Sequence, residues 1–319
     1  MAEKGKRDWS EKDLRKMIVD QRRFLWRDDM IDRISSSLNL KHGITAVDVG
    51  CGLGYLGWTF WRHFGKGGTY IGMDCSEKLL TDAREMSEEW LNGGNACFLK
   101  GEACDIPRQD ASSDLTMCQT LLMHLEKPEA ALAEMIRITK PGGAVMCMEP
   151  DNLSSSLTVP FSSHPSITLN ERMLWFKAWL IWAEGRKRLG KGDWGIGSNI
   201  PKMMTDAELV RIDCRCNDKP TFIHPPYETE AQRYWLEKIR EELEERDEEE
   251  EKLWWTEYKE CFIAGGGSLS TYYRIRKLAE EKREINTEII LEQIRSGSFY
   301  RGTHPSGFFC FTGFVQELE

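Results

Sequence analysis

The sequence lacks several features that would assign a chain to a class at once. No apolar run approaches the length of a membrane span, and the first residues, 1–13, are charged and resemble neither a signal peptide nor a membrane anchor. The ten cysteines include no C-x-x-C pair. No cluster of His, Cys, Asp and Glu has the spacing of metal ligands. We therefore expect a cytoplasmic protein with reduced thiols, no membrane span and no metal site.

Basic residues are also fewer than acidic ones. The chain has 43 Lys and Arg residues against 52 Asp and Glu, which gives a formal net charge of -9. Binding to a phosphate backbone depends on a basic surface, so this balance argues against a nucleic-acid partner. The length allows one large domain or up to two ordinary ones, and the oligomeric state is left open.

One glycine-rich stretch organises the chain. Apolar residues at 44–49 predict a strand, glycines at 50, 52 and 54 predict a sharp turn, and Tyr55–Phe64 is typical of a buried helix. A strand, a glycine turn and a helix start together form a small-ligand site at the carboxyl edge of a parallel sheet. Residues 52–57 also match the dinucleotide fingerprint G-x-G-x-x-G, a match that is weak by itself.

Strands and helices alternate regularly over residues 44–150. Further strands are predicted at 69–74, 96–100, 114–119 and 144–148, with Ser76 capping a helix through Trp90 and Pro128 in the first turn of another. Such alternation predicts an open parallel sheet with helices on both of its faces.

The pattern is mainly helical outside this core. An amphipathic helix is expected over 10–40 with Ser10 as its N-cap, and others over 228–262 and 269–296. A short helix and a strand are expected over 200–216, and Phe308–Val315 is a strong final strand. We therefore expect a helical cap at 1–40, a ligand-binding core at 41–151, a helical insertion or lid at 152–200, a continuation of the core at 201–225, a second helical insertion at 226–305 and a final core strand at 306–319.

Tryptophans at 175, 179 and 182 follow helical spacing and form an aromatic face on the first insertion. This face would suit an aromatic or apolar substrate. It could equally be the seam that attaches the insertion to the sheet domain. Insertions over the carboxyl edge of a sheet shape the pocket of a second substrate.

Three carboxylates indicate which ligand the glycine turn binds. Asp74 ends the second strand, where it can accept hydrogen bonds from ribose hydroxyls, and this suits either NAD or an adenosyl ligand. Asp48 lies two residues before the turn, where it would repel a pyrophosphate but help an ammonium and a sulfonium, directly or through water. Glu102 follows the third strand and offers an acceptor to an adenine amino group. The charges favour S-adenosylmethionine over a dinucleotide.

These segments resemble the motifs of the class I S-adenosylmethionine-dependent methyltransferases. The likeness covers about residues 40–150 and extends weakly through 200–216. It rests on Val47–Gly54, Gly72–Ser76, Gly101–Pro107, Leu121–Leu125 and Lys140–Gly143, in the order that the family shows. It implies a Rossmann-like seven-stranded sheet, mostly parallel, whose last strand is antiparallel and lies next to the fifth. It also implies a cofactor site in which the family contacts fall on Asp48, Gly50, Cys51, Gly52, Gly54, Asp74, Cys75, Glu102, Ala103 and Gln119. Glu102 stands where the family usually has Asp.

Methyl transfer from a sulfonium mainly requires alignment of the acceptor and exclusion of water. A general base is needed only for a protonated acceptor, and His124, after the fourth strand, is the candidate. His124 could instead merely pack at a helix start. We expect transfer to a small-molecule acceptor, with S-adenosylhomocysteine as the product. A protein or RNA acceptor, or a silent binding protein, are the alternatives. The acceptor atom is not indicated.

Overall fold

The computed structural model describes residues 24–91, 94–153, 167–217, 219, 221–245, 247–304 and 307–317. The chain divides into two compact units. Unit 1 comprises residues 1–151, 195–218 and 308–319, and unit 2 comprises residues 152–194 and 219–307. The first part of the expected N-terminal cap helix, residues 10–23 including Ser10, lies outside the described residues.

The strands of the described residues belong to two sheets. In chain order they are β1 (Thr45–Val49), β2 (Thr69–Asp74), β3 (Asn95–Lys100), β4 (Ser113–Gln119), β5 (Thr139–Pro150), β6 (Val210–Cys216), β7 (Thr221–Ile223), β8 (Arg301–His304) and β9 (Phe308–Phe314). Unit 1 contains a seven-stranded sheet in the order β3-β2-β1-β4-β5-β9-β6, whereas β7 and β8 pair with each other in unit 2.

The direction of the strands in the large sheet agrees with the prediction. Strands β1 to β5 pair in parallel, and β9 runs antiparallel to both β5 and β6. The predicted Rossmann-like sheet, with its last strand antiparallel and next to the fifth, is confirmed. Because β1, β2, β3, β4 and β5 are parallel, their carboxyl ends meet at one edge, which is where the candidate site residues lie.

The α-helices of the described residues, in chain order, are α1 (Asp28–Ser37), α2 (Tyr55–Phe64), α3 (Glu77–Ser87), α4 (Pro128–Ile138), α5 (Leu169–Arg188), α6 (Ile200–Asp206), α7 (Glu230–Glu244), α8 (Glu248–Ala264) and α9 (Leu269–Arg295). Short 3-10 helices cover Leu122–His124 and Ile196–Asn199. Within the described segments, no helix combines the length and the apolar character that a membrane crossing requires.

One hydrophobic cluster packs helices onto the sheet of unit 1. It joins Ile31 and Ile34 of α1 and Phe60 of α2 to strand residues such as Ala46 and Met146. Side chains of a strand alternate between the two faces of a sheet, so Asp48 lies on the same face as Ala46. The apolar packing therefore surrounds a carboxylate that lies just before the glycine turn.

Unit 2 has an aromatic core of its own. On α5, Trp182 lies with its ring centroid 5.0 Å from that of Trp179 and 5.2 Å from that of Trp194, and it stacks on Tyr258 of α8. The helices α5 and α8 cross closely, since a Cβ on Gly185 would lie 1.7 Å from the carbonyl oxygen of Cys261. The aromatic face of α5 is thus part of the core of unit 2, a role that neither interpretation of the sequence included.

Several boundaries differ from expectation for local reasons. The helix expected over 228–262 is two helices, because Asp247 caps a new start with hydrogen bonds from the backbone N–H groups of Glu249 and Glu250. The acidic run that follows lies in the first turn of α8, where negative charge is favourable. Ser76 caps α3 as predicted, but the helix ends at Ser87.

Candidate functional site

The glycine turn follows β1 directly and depends on backbone angles that favour glycine. Gly50, Gly52 and Gly54 have φ values of 69°, 52° and 79°. The turn is tied to β2 by a hydrogen bond from the Cys51 N–H to the carbonyl of Met73 (2.9 Å). A Cβ built on Gly52 meets no described atom within 4 Å, so the backbone there is open to the approach of a ligand.

Asp74, at the end of β2, holds this turn from the neighbouring strand. Its Oδ2 accepts a hydrogen bond from the Gly52 N–H (3.0 Å), and its Oδ1 accepts one from the Ser76 N–H (2.9 Å). A carboxylate has about four lone-pair sites, so two backbone bonds leave acceptor capacity for hydroxyl groups of a ligand. Asp74 therefore both shapes the turn and can bind at it. Cys75, the next residue, is exposed.

Asp48 lies beneath the turn and is 1% exposed. Its Oδ2 accepts a hydrogen bond from the Tyr70 hydroxyl at 2.7 Å. Burial and the charge of Asp48 raise the pKa of Tyr70 well above its ordinary value, so the hydroxyl stays protonated and donates.

Gly57, on the first turns of α2, makes room for this pair. A Cβ at this position would lie 2.2 Å from Cε2 of Tyr70. The last glycine of the G-x-G-x-x-G match thus serves close packing of the helix on β2, and it does so beside the Tyr70–Asp48 hydrogen bond.

Cys51 lies within the turn and is buried. Burial raises the pKa of its thiol well above the ordinary value, and the negative charges of Asp48 and Asp74 raise it further. A thiol is a nucleophile only as the thiolate, so Cys51 is a neutral lining group of the turn rather than a reactive one.

The segment after β3 carries Glu102, which is exposed, and Ala103, which is buried. Helix α4 holds the rest of this segment. The carboxylate of Glu134 accepts a hydrogen bond from the Ile106 N–H (2.8 Å), while the Arg137 guanidinium donates to the Ile106 carbonyl (2.9 Å). Arg137 also pairs with Glu134 at 2.7 Å. The backbone at Ile106, four residues after Glu102, is therefore fixed from a neighbouring element.

Gln119, the last residue of β4, is 8% exposed, and its Nε2 has no hydrogen-bond partner within the part of the chain that the structure describes. Met117 of β4 pairs with Asp48 of β1 in the parallel register, so both side chains lie on one face of the sheet. Gln119 comes two residues after Met117, so it lies on that same face. Burying an amide donor without an acceptor is costly. This donor at the edge of the sheet is therefore available to an acceptor from outside the chain.

His124 ends the 3-10 helix that follows β4, and its backbone N–H donates to the carbonyl of Leu121 (2.9 Å). Its side chain is partly exposed. The structure therefore brings the predicted residues 48–54, 74–75, 102–103 and 119 to the ends of four adjacent strands, with His124 on the turn after one of them.

Sequence reasoning missed two polar residues of this region. Tyr70 could have been found from the alternation of β2, which places it on the face of Asp48. Glu149 interrupts the apolar end of β5 and is fully buried, and its carboxylate accepts hydrogen bonds from backbone N–H groups of the turn after β4. Among the described residues no group of three or more His, Cys, Asp and Glu could hold a metal ion.

Comparison with known proteins places this geometry in a family. Residues 40–189 match the sequence model of a family described as a methyltransferase domain. An uncharacterized methyltransferase of Schizosaccharomyces pombe is 37% identical over 116 residues, which are 34% of this chain and 41% of that protein. The demethylmenaquinone methyltransferase of Oceanobacillus iheyensis is 32% identical over 133 residues, 42% of this chain and 54% of that protein. The chain thus spans about half the length of these curated relatives.

A solved structure supports the same fold. It is a chain of the complex between the Haloferax volcanii Trm112 methyltransferase activator and a methyltransferase, with a TM-score of 0.51, 16% identity and coverage of 98% of this chain and 100% of that one. At this identity the likeness shows the fold alone. With the match over residues 40–189, the glycine turn and the sheet order, it follows that these residues carry a methyltransferase domain and that unit 1 has the class I Rossmann-like methyltransferase fold.

Proposed function

We propose that this protein transfers a methyl group from S-adenosylmethionine to a small-molecule acceptor by in-line displacement. The observation that carries the proposal is the acidic lining of the glycine turn. Asp48 lies one residue before the end of β1, Asp74 ends β2 and Glu102 follows β3, and these three parallel strands are adjacent. The carboxylate of Asp74 is hydrogen-bonded to the turn itself. Carboxylates in these places oppose a pyrophosphate and suit a ligand with ribose hydroxyls, an adenine amino group and positive charge.

The residues present fit the adenosyl ligand. The open space at Gly52 lets the backbone lie against it, and Asp74 keeps acceptor capacity for the ribose hydroxyls. Glu102 is exposed and can accept from the adenine amino group, with Ala103 beside it. The orphaned Nε2 of Gln119 is a donor suited to the methionine carboxylate.

When bound, S-adenosylmethionine supplies a methyl group on a sulfonium, so the leaving group is already activated. The chain has to hold the donor, orient it and exclude water. Gly50, Gly52 and Gly54 shape the turn that receives it, and the Asp74 carboxylate fixes that turn from β2. The buried Asp48 contributes negative charge beneath the turn, which favours a cationic ligand.

His124 is the proposed general base for an acceptor that arrives protonated. It lies on the turn after β4, five residues past Gln119, and is partly exposed. An acceptor that arrives unprotonated needs no such group, and His124 would then have a packing role only.

A small acceptor is supported by the relatives, since the Oceanobacillus iheyensis protein is named for methylation of demethylmenaquinone. The alternative is a protein or RNA acceptor, and against RNA stands the net charge of -9. A second alternative is a protein that binds the cofactor without transferring a methyl group. Against it stands the glycine turn, in which Gly50, Gly52 and Gly54 are all present with positive φ.

A methyl-labelling assay tests the proposal. Purified protein is incubated with methyl-labelled S-adenosylmethionine and a cell extract, and the products are separated by size. Label in a small molecule other than S-adenosylmethionine, absent from a control with heat-inactivated protein, is the expected result. Label only in protein or RNA would overturn the acceptor class, and no S-adenosylhomocysteine with any fraction would overturn the transfer activity.

A further inference from the structure

Glu149 is a fully buried carboxylate near the carboxyl end of β5, and the proposed chemistry does not use it. Its Oε1 accepts hydrogen bonds from the N–H groups of Leu121 and Leu122, both at 2.8 Å. Its Oε2 accepts from the Met123 N–H at 3.4 Å. Three consecutive backbone donors of the turn after β4 therefore converge on one side chain from the neighbouring strand.

A fourth donor comes from β4 itself. The Sγ of Cys118 lies 3.9 Å from Oε1 of Glu149. A hydrogen bond with Cys147 and burial raise the pKa of Cys118 well above its ordinary value, so the thiol keeps its proton and donates. In each of these four contacts the carboxylate accepts, and a buried carboxylate is stabilised by such donors.

The turn that Glu149 holds touches the candidate site at both of its ends. Gln119, with its orphaned donor, precedes it, and His124 ends it. In between, Cδ1 of Leu121 lies 2.7 Å from where a Cβ of Gly50 would be, so Leu121 packs directly on the glycine turn. Thr120 has a φ of 49°, a conformation that a β-branched residue adopts only when its surroundings hold it there.

We propose that Glu149 is a positioning residue for the methyl-donor site, which fixes the turn Thr120–His124 so that Leu121 supports Gly50 and Gln119 faces the ligand. The inference rests on the proposed function, since it concerns the same ligand. A carboxylate suits this task because it accepts with both oxygens, whereas an amide would oppose one of the three N–H groups with a donor of its own.

Glu149 could instead serve folding alone, and β5 offers a matched control. Thr139 lies at the opposite end of the same strand and is 2% exposed. Its Oγ1 makes hydrogen bonds with the Thr116 hydroxyl (2.6 Å) and the Met135 carbonyl (2.7 Å). Thr139→Val removes buried hydrogen bonds from β5 without touching the turn after β4.

The experiment compares wild type, Glu149→Gln and Thr139→Val. Calorimetric titration measures the affinity for S-adenosylhomocysteine, and hydrogen exchange measures protection of the amides at 121–123. We expect Glu149→Gln to bind about tenfold more weakly and to exchange faster at these amides, because a donor replaces an acceptor there. Thr139→Val should keep the wild-type affinity even though its Tm falls.

Equal affinity of wild type and Glu149→Gln would overturn the assignment, as would an equal loss in Thr139→Val. If Glu149→Gln does not fold, Leu121→Ala tests the same link between the turn Thr120–His124 and Gly50. This substitution removes the contact with Gly50 and leaves Glu149 in place. Leu121→Ala should also weaken binding, and wild-type affinity in that variant would refute the claim that Leu121 supports Gly50. Absence of binding by the wild-type chain would instead refute the proposed function.

Discussion

Two buried tyrosines should differ in how much stability they lose when the hydroxyl group is removed. Tyr70 donates to the buried carboxylate of Asp48 at 2.7 Å. The hydroxyl of Tyr258, which is 1% exposed, has no hydrogen-bond partner among the residues that the structure describes. The substitution to Phe is the same at both positions, so the comparison isolates the hydrogen bond.

The magnitudes follow from the partner that each hydroxyl has. A hydrogen bond to a charged group contributes about 1.5–3 kcal/mol, and Tyr70→Phe also leaves the Asp48 carboxylate buried without that donor. We therefore expect a loss of about 2 kcal/mol in the free energy of unfolding. Tyr258→Phe removes a buried polar group that has no partner, so its stability should stay the same or rise by up to about 1 kcal/mol.

Urea and thermal unfolding, followed by circular dichroism, measure both effects. For units of this size a loss of about 2 kcal/mol corresponds to a fall in Tm of about 4–8 °C. The reasoning is refuted if Tyr70→Phe is as stable as wild type, or if Tyr258→Phe loses as much as Tyr70→Phe.

Two further predictions concern packing and charge. Gly185→Ala should destabilise unit 2 by about 3 kcal/mol or more, because its Cβ would lie 1.7 Å from a backbone oxygen that cannot rotate away; an unchanged thermal unfolding curve would contradict the close crossing of α5 and α8. The hydrogen bond from Arg137 holds the pKa of Glu134 below its ordinary 4.5, and the hydrogen bond from the Ile106 N–H lowers it further. The ionised Glu134 therefore stabilises the folded protein fully above about pH 4.5, and this contribution is lost as the pH falls through the pKa of Glu134 in the folded protein. Arg137→Met should therefore lose less stability on acidification than wild type, and parallel pH–stability curves would argue against this clamp.

The sequence was sufficient for the elements whose signals are local. The glycine turn, the Ser76 cap and the strand at 308–314 combine strong turn, capping or β-branched and aromatic signals, and all appear in the structure. The antiparallel placement of β9 came from the family resemblance, because strand order depends on long-range pairing that no local pattern encodes.

What the sequence did not indicate depends on side chains brought together by the fold. The tryptophans of α5 follow helical spacing, but only the structure shows that they pack on Tyr258 of α8 within unit 2. Glu149 looked like a strand end because its three donors come from a turn more than twenty residues earlier in the chain. For Asp74 the predicted ligand role stays a proposal, and the structure adds a second task, the hydrogen bond to Gly52.

The central claim is that the glycine turn binds an adenosyl ligand with Asp74 at its ribose. Calorimetric titration of the purified wild type and Asp74→Ala with S-adenosylhomocysteine tests it most directly, with circular dichroism to verify that both are folded. We expect one binding site in the wild type and no detectable binding in Asp74→Ala, because the substitution removes the ribose acceptor and the bond that holds Gly52. Equal affinity of the two proteins, or no binding by the wild type, would contradict the claim.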